Sequence, residues 1–152
     1  MFVFSPHLCY NVVESEVIIL KLNHDCIRYL LLYLEKQLTV SNFFVLDPYE
    51  FTKCTYLDGF NNSDVLYSCE KLIEAGYING KIKTFVDITI PEIKITSITW
   101  EGHKFLDNIR DDKIWKNTKT ILSQFKTVSI SFISEVAYQV ISKLINKQLG
   151  LE

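Results

Sequence analysis

Three groups of side chains in this 152-residue chain could do chemistry, and each suits holding a charged polymer better than making or breaking a bond. The first lies in NNSDVLYSCEKLIEAG, residues 61–76. There Asn61 and Asn62 open a predicted helix, and Ser68 and Lys71 fall on the side expected to face outward. Amides and ammonium groups read base edges, and a recognition helix often inserts its first turn into the groove. The competing role of Asn61 and Asn62 is to cap the helix, and Glu70 and Glu74 flank Lys71 and would repel phosphate. The second group is Lys81, Lys83 and Lys94, spaced to project from two β-rich runs. Lysines there contact phosphates or simply keep a sheet edge from pairing. The third is Lys113, Lys116 and Lys119, three residues apart on a predicted helix, which form a basic stripe or a merely solvated face.

Bond-making chemistry is poorly represented. No GxSxG, P-loop, HExxH or GxGxxG pattern occurs, so neither a catalytic residue nor a cofactor is expected. Glu101, His103 and Asp107 lie close in sequence, but His103 and Asp107 are four apart. On a helix they would face each other as a structural pair with the imidazole packed inward. The cysteines Cys9, Cys26, Cys54 and Cys69 contain no CxxC pair, which argues against zinc. Cys26 and Cys69 fall on apolar helix faces and read as small core residues, free thiols in a reducing cytoplasm.

The elements that must position the lysines follow from periodicity. Asn23 caps a first helix to about Leu38, with Cys26, Ile27, Leu30, Leu31, Leu34 and Leu38 as its apolar face. Residues 39–60 read as irregular, with a short strand over Phe43–Leu46, a turn at Asp47-Pro48 and another strand over Phe51–Leu57. A second helix runs from about Asn62 to Ala75 and ends at Gly76. A hairpin follows, with Asn79-Gly80 as a tight turn and the runs Lys81–Ile90 and Glu92–Ile98 joined near Pro91. Thr99 caps a helix through about Arg110, a further helix covers Asp112–Phe125, and a last one starts near Ser129 or Ser131 and ends at Gly150. Its wide apolar stripe suits packing within the protein or a homodimer through the last two helices.

Helix, hairpin and closing helix are the parts of a winged helix-turn-helix. The expectation is an α+β chain: a winged helix-turn-helix over residues 21–110, with a small β-hairpin wing, and a C-terminal two-helix extension over 111–152. Residues 1–20 read as an N-terminal extension, and Leu20 is a candidate for the true initiator. The alternative is a strand over Val17–Leu20 that pairs with the rest. No run reaches the ~18 apolar residues of a membrane span. The net charge of −2 weighs against strong non-specific DNA affinity.

The segments KLNHDCIRYLLLYLE, VLYSCEKLIEAGYI, ITWEGHKFLDNIRDDKIWKNTK and VSISFISEVAYQVISKLINKQLGL resemble a phage- and prophage-associated family from low-GC Gram-positive bacteria, related to the YjcQ-like proteins. TWEGHKFLDNIRDD is the most specific of these, and the resemblance begins at Lys21. It implies a winged-helix fold and a mobile-element origin. Members carry a histidine where this chain has Ser68, so a role tied to that histidine does not transfer. Two partners stay open: double-stranded DNA, bound by a regulator of phage type, or a protein held on the same scaffold.

Overall fold

The computed structural model describes residues 21–46, 59–85 and 88–151. The expected strands over 17–20 and 51–57 and the turn at 47–48 lie outside these residues, as do Cys9 and Cys54. The chain is α+β. Five helices are described: α1 (His24–Gln37), α2 (Asn62–Glu74), α3 (Trp100–Ile109), α4 (Asp112–Leu122) and α5 (Ile130–Leu149). The strands β1 (Phe44–Leu46), β2 (Ile78–Phe85) and β3 (Ile88–Ile98) form one antiparallel sheet in the order β1-β3-β2. Helix, hairpin, helix is an order compatible with a winged helix.

Local signals set most boundaries. Asn23 accepts from the Cys26 amide at 3.1 Å and starts α1. Asn61 accepts from the Asp64 amide at 2.7 Å and starts α2. Ser129 caps α5, and Gly76 and Gly150 take the left-handed backbone that ends α2 and α5. α4 stops at Leu122 rather than Phe125, and the Phe125 ring stacks edge-on against Phe132 across the turn into α5.

The hairpin departs from expectation. Asn79-Gly80 is not its turn but lies inside β2, where the Asn79 amide donates to Ser97 Oγ at 3.0 Å. A Cβ on Gly80 would sit 2.8 Å from the Lys94 carbonyl, so the glycine serves close approach at a register shift rather than a turn. Pro91 lies within β3. Among the described residues the ladder to β1 covers Ile93–Ile95, and Pro91 lies just before it, beside the irregularity between Lys83 and Phe85.

The core gathers one face from each element. Ile27, Leu30, Leu31 and Leu34 of α1 meet Val65, Cys69 and Leu72 of α2 and Ile93 and Ile95 of β3. Trp115, Leu122, Ile133 and Ala137 bring α4 and α5 into the same cluster. Cys26 and Cys69 are buried free thiols. Burial lifts the Cys26 thiol to about 11 and pushes Cys69 up as well, so neither ionises near neutrality.

Thr99 and Gly102 of the TWEGH motif meet at one junction. Thr99 Oγ1 points its hydroxyl at the Gly76 and Tyr77 carbonyls, 2.7 and 3.1 Å away, and accepts from the Gly102 amide at 3.1 Å. Gly102 is buried so close to Tyr77 that a Cβ would lie 2.0 Å from its carbonyl oxygen. The first turn of α3 is thereby fixed against the exit of α2.

Candidate nucleic-acid interface

The ten candidate residues do not form one surface. Asn61 spends its side-chain oxygen on the Asp64 amide. Asn62 is half-buried, with a buried Oδ1 that has no partner among the described residues. Ser68 does not face outward: it is fully buried, and its neighbour is the Cys26 thiol. The positions 65, 68, 69 and 72 make the inward stripe of α2, so Ser68 belongs with Val65, Cys69 and Leu72. Lys71 stays at the surface but is held by Glu74 at 2.5 Å and Glu70 at 3.8 Å. The hydrogen bond to Glu74 raises its pKa further. The outward face of α2 therefore carries Asp64, Glu70 and Glu74 around one neutralised lysine.

The hairpin lysines converge better. Lys81 stands directly opposite Lys94, and Lys83 opposite Glu92. Strand side chains alternate in face. Ile93 and Ile95 point into the core, so Lys94 points away from it, and its cross-strand partner Lys81 shares that outer face, with Lys83 two residues on. Lys83 and Glu92 approach to 4.0 Å across the ladder. Lys94 stands 3.6 Å above the exposed Phe43 ring, an attraction between cation and π-face. Like charges directly opposite are unfavourable in a sheet, so Lys81 and Lys94 are in place to gain from an anion between them.

On α4, Lys113 and Lys116 are exposed and make no ion pair among the described residues. Lys119 is occupied. Its Nζ lies 2.9 and 3.1 Å from the Asp25 oxygens, and Trp115 Nε1 donates to the same carboxylate at 2.7 Å. The predicted stripe of three is a pair. It stands on a different element from the hairpin, since α4 packs on α3 and α5 while β2 packs on α2.

Two arrangements were not foreseen. Arg28 is buried under Tyr29 and Trp115. Its guanidinium donates to the carbonyls of Ile109 and Arg110 at 2.7 and 2.6 Å and to Asp112 at 2.6 Å. It thus binds the end of α3 and the start of α4 to α1. The second is a cleft of about 820 Å³ between the start of α1 and the end of α4, with Lys21, His24, Asp25, Asp64, Lys119 and Lys126 on its walls. Burial first, and then the charge of Lys21, pull His24 below the ordinary imidazole value. Its mixed signs, and the Asp25–Lys119 pair within it, do not suit a polyanion.

The expected His103–Asp107 pair does not form. Asp107 bonds Arg110 at 2.8 Å, Arg110 also chelates Glu35, and His103 is half-exposed with Nδ1 4.0 Å from Glu35. The Arg110 bond holds the Glu35 carboxyl below its usual range. These are surface ion pairs between α1 and α3. Among the described residues no group of three His, Cys, Asp or Glu side chains is placed to hold a metal ion. No helix among them is long and apolar enough to cross a membrane.

A family described as "Hypothetical protein (DUF2513)" matches residues 21–129. An "Uncharacterized protein" of Haemophilus influenzae is 32% identical over 130 residues, which cover 83% of this chain and 99% of the relative. No solved structure matches. The matched span takes in the hairpin and all of α4 and ends at Ser129, before α5.

Proposed function

We propose that this chain, which belongs to the DUF2513 family, is a winged-helix protein of mobile-element origin that holds double-stranded DNA by its phosphate backbone. What supports the reading is the outer face of the β2–β3 hairpin, where Lys81 and Lys94 oppose each other and Lys83 follows. In this reading the wing makes the contact, and α2 serves as scaffold because its outward acids repel phosphate. The mobile-element origin rests on the TWEGHKFLDNIRDD resemblance alone. Phosphate contacts release counterions, about 0.9 log units of affinity per log unit of salt for each contact. Fluorescence anisotropy with a labelled duplex at several salt concentrations tests this. The Lys81→Ala/Lys83→Ala/Lys94→Ala variant should flatten the salt slope by up to ~2.7 for each chain on the duplex, and Lys71→Ala should leave it unchanged. Absence of binding at low salt, or a triple variant that binds as wild type does, would sink the proposal.

A second reading, a protein-interaction module on the same scaffold, draws on the acidic outward face of α2. There Glu70 and Glu74 enclose the only lysine. Recovery of a partner that survives nuclease and is lost on Glu70→Lys/Glu74→Lys would favour it over DNA.

A further inference from the structure

The last helix carries three charged side chains: Glu135 in its first half, and Lys143 and Lys147 in its second. Beside it, between α4 and α5, runs a groove of about 330 Å³ floored by Ile121, Phe132, Val136 and Val140. Glu135 stands at one end of this groove, Gln139 at its middle and Lys143 at the other end. Neither Glu135 nor Lys143 has an ion-pair partner among the described residues.

We propose that this groove is the self-association surface of the chain. A second copy lays its own α4–α5 face across it about a two-fold axis near Gln139, with the two α5 helices antiparallel. The charges select this arrangement. Glu135 and Lys143 are each four residues from Gln139, about 6 Å along the helix in opposite directions. A two-fold axis there sets Glu135 of each copy against Lys143 of the other, twice over. A parallel pairing would set acid on acid and base on base. Such an interface is isologous and closes at two copies.

The apolar floor supplies the driving force. Ile121 and Phe132 are 40% and 37% exposed in the single chain, and Phe125 beside them is 50% exposed. Other exposed apolar side chains exist on α5, but the groove is where apolar surface and self-complementary charge coincide. Two helices side by side, over the ~24 Å from Phe132 to Lys147, offer a footprint on the order of 500 Å² per copy. The total of roughly 1,000 Å² lies at the lower limit for a specific interface, which makes the dimer reversible and concentration-dependent. The inference is independent of DNA binding.

Sedimentation equilibrium of the full chain tests it. The apparent mass should rise from 17.7 kDa toward twice that value as concentration increases. Glu135→Lys and Lys143→Glu should each weaken self-association about tenfold, because two attractive contacts become repulsive. Both positions are exposed, so folding should be unaffected, and circular dichroism checks this. The decisive sample is an equimolar mixture of the two variants, in which every mixed pair regains two Lys–Glu contacts. It should associate as tightly as wild type. A wild type that stays monomeric throughout, or a mixture that behaves as two independent species, would overturn the proposal.

Discussion

Arg28→Met isolates what a buried guanidinium contributes to this fold. Arg28 is 2% exposed and donates to the Ile109 and Arg110 carbonyls and to Asp112. Methionine keeps most of the aliphatic stem against Tyr29 and Trp115 but leaves two helix-end carbonyls without their donor. Each unsatisfied carbonyl costs about 1–3 kcal/mol, while well-packed apolar replacements of buried ions are often neutral or better. The carbonyls decide the sign here. They remain polar after the substitution, whereas apolar replacement succeeds when both partners are changed. The net loss should be about 3 kcal/mol, a large part of a typical 5–15 kcal/mol. For a chain of this size that corresponds to roughly 10 °C in Tm. Asp112→Asn is the control. Its side chain is 92% exposed and the amide oxygen still accepts, so less than ~1 kcal/mol should be lost. Urea and thermal denaturation of both variants measure the difference. Equal losses, or an Arg28→Met within ~1 kcal/mol of wild type, would refute the account and make the ion pair the only contribution.

Gly102→Ala places a methyl 2.0 Å from the Tyr77 carbonyl oxygen, and so should cost at least ~3 kcal/mol or prevent folding. Gly59→Ala, with nothing within 4 Å among the described residues, should cost only the strain of its positive φ, which denaturation of the pair will compare. His24 makes stability pH-dependent. Its folded pKa lies below the unfolded value near 6.5, so the neutral form is favoured in the native state. Its contribution is present above pH 6.5 and lost as pH falls from there through the folded pKa. A His24→Gln variant should show a flatter stability profile over that window, read from urea midpoints at successive pH values.

Much of the fold is legible because its signals are local. Asn23, Asn61, Thr99 and Ser129 each satisfy the amide three residues on, and their chemistry needs no tertiary information. The errors arise where a partner is distant or where residue type overrides spacing. Ser68 reads as outward beside Lys71, although its position three after Val65 and four before Leu72 puts it on the buried stripe. Arg28 lies beside an apolar helix face and is drawn inward by carbonyls more than eighty residues away. Lys119 looks free until folding brings Asp25 to it from ninety-four residues off. Asp107 has His103 at helical spacing, yet Arg110 on the same helix end outcompetes it and carries Glu35 with it. The glycine of Asn79-Gly80 has the composition of a turn but serves a close strand crossing, a distinction that depends on which strand runs beside it.

The charge distribution ties the strength of DNA binding to self-association, although self-association does not need DNA. With Ser68 buried and Lys71 and Lys119 committed to acids, the lysines that one chain gathers on a single face are the three of the hairpin, Lys113 and Lys116 standing apart on α4. Three phosphate contacts give a salt slope of at most ~2.7 and an affinity of the non-specific kind, ~10⁻⁴–10⁻⁶ M. A net charge of −2 adds a repulsive background. Useful affinity then has to come from placing two hairpins on one duplex, which doubles the contacts and makes the second engagement intramolecular. The α4–α5 groove is lined by no residue of the hairpin, so an interface centred there need not cover the wing lysines. In those terms Glu135→Lys should roughly halve the salt slope of DNA binding without touching a lysine of the wing. A slope that stays the same while the dimer is lost would mean that each hairpin acts alone, and the limit on affinity would then fall on the three lysines themselves.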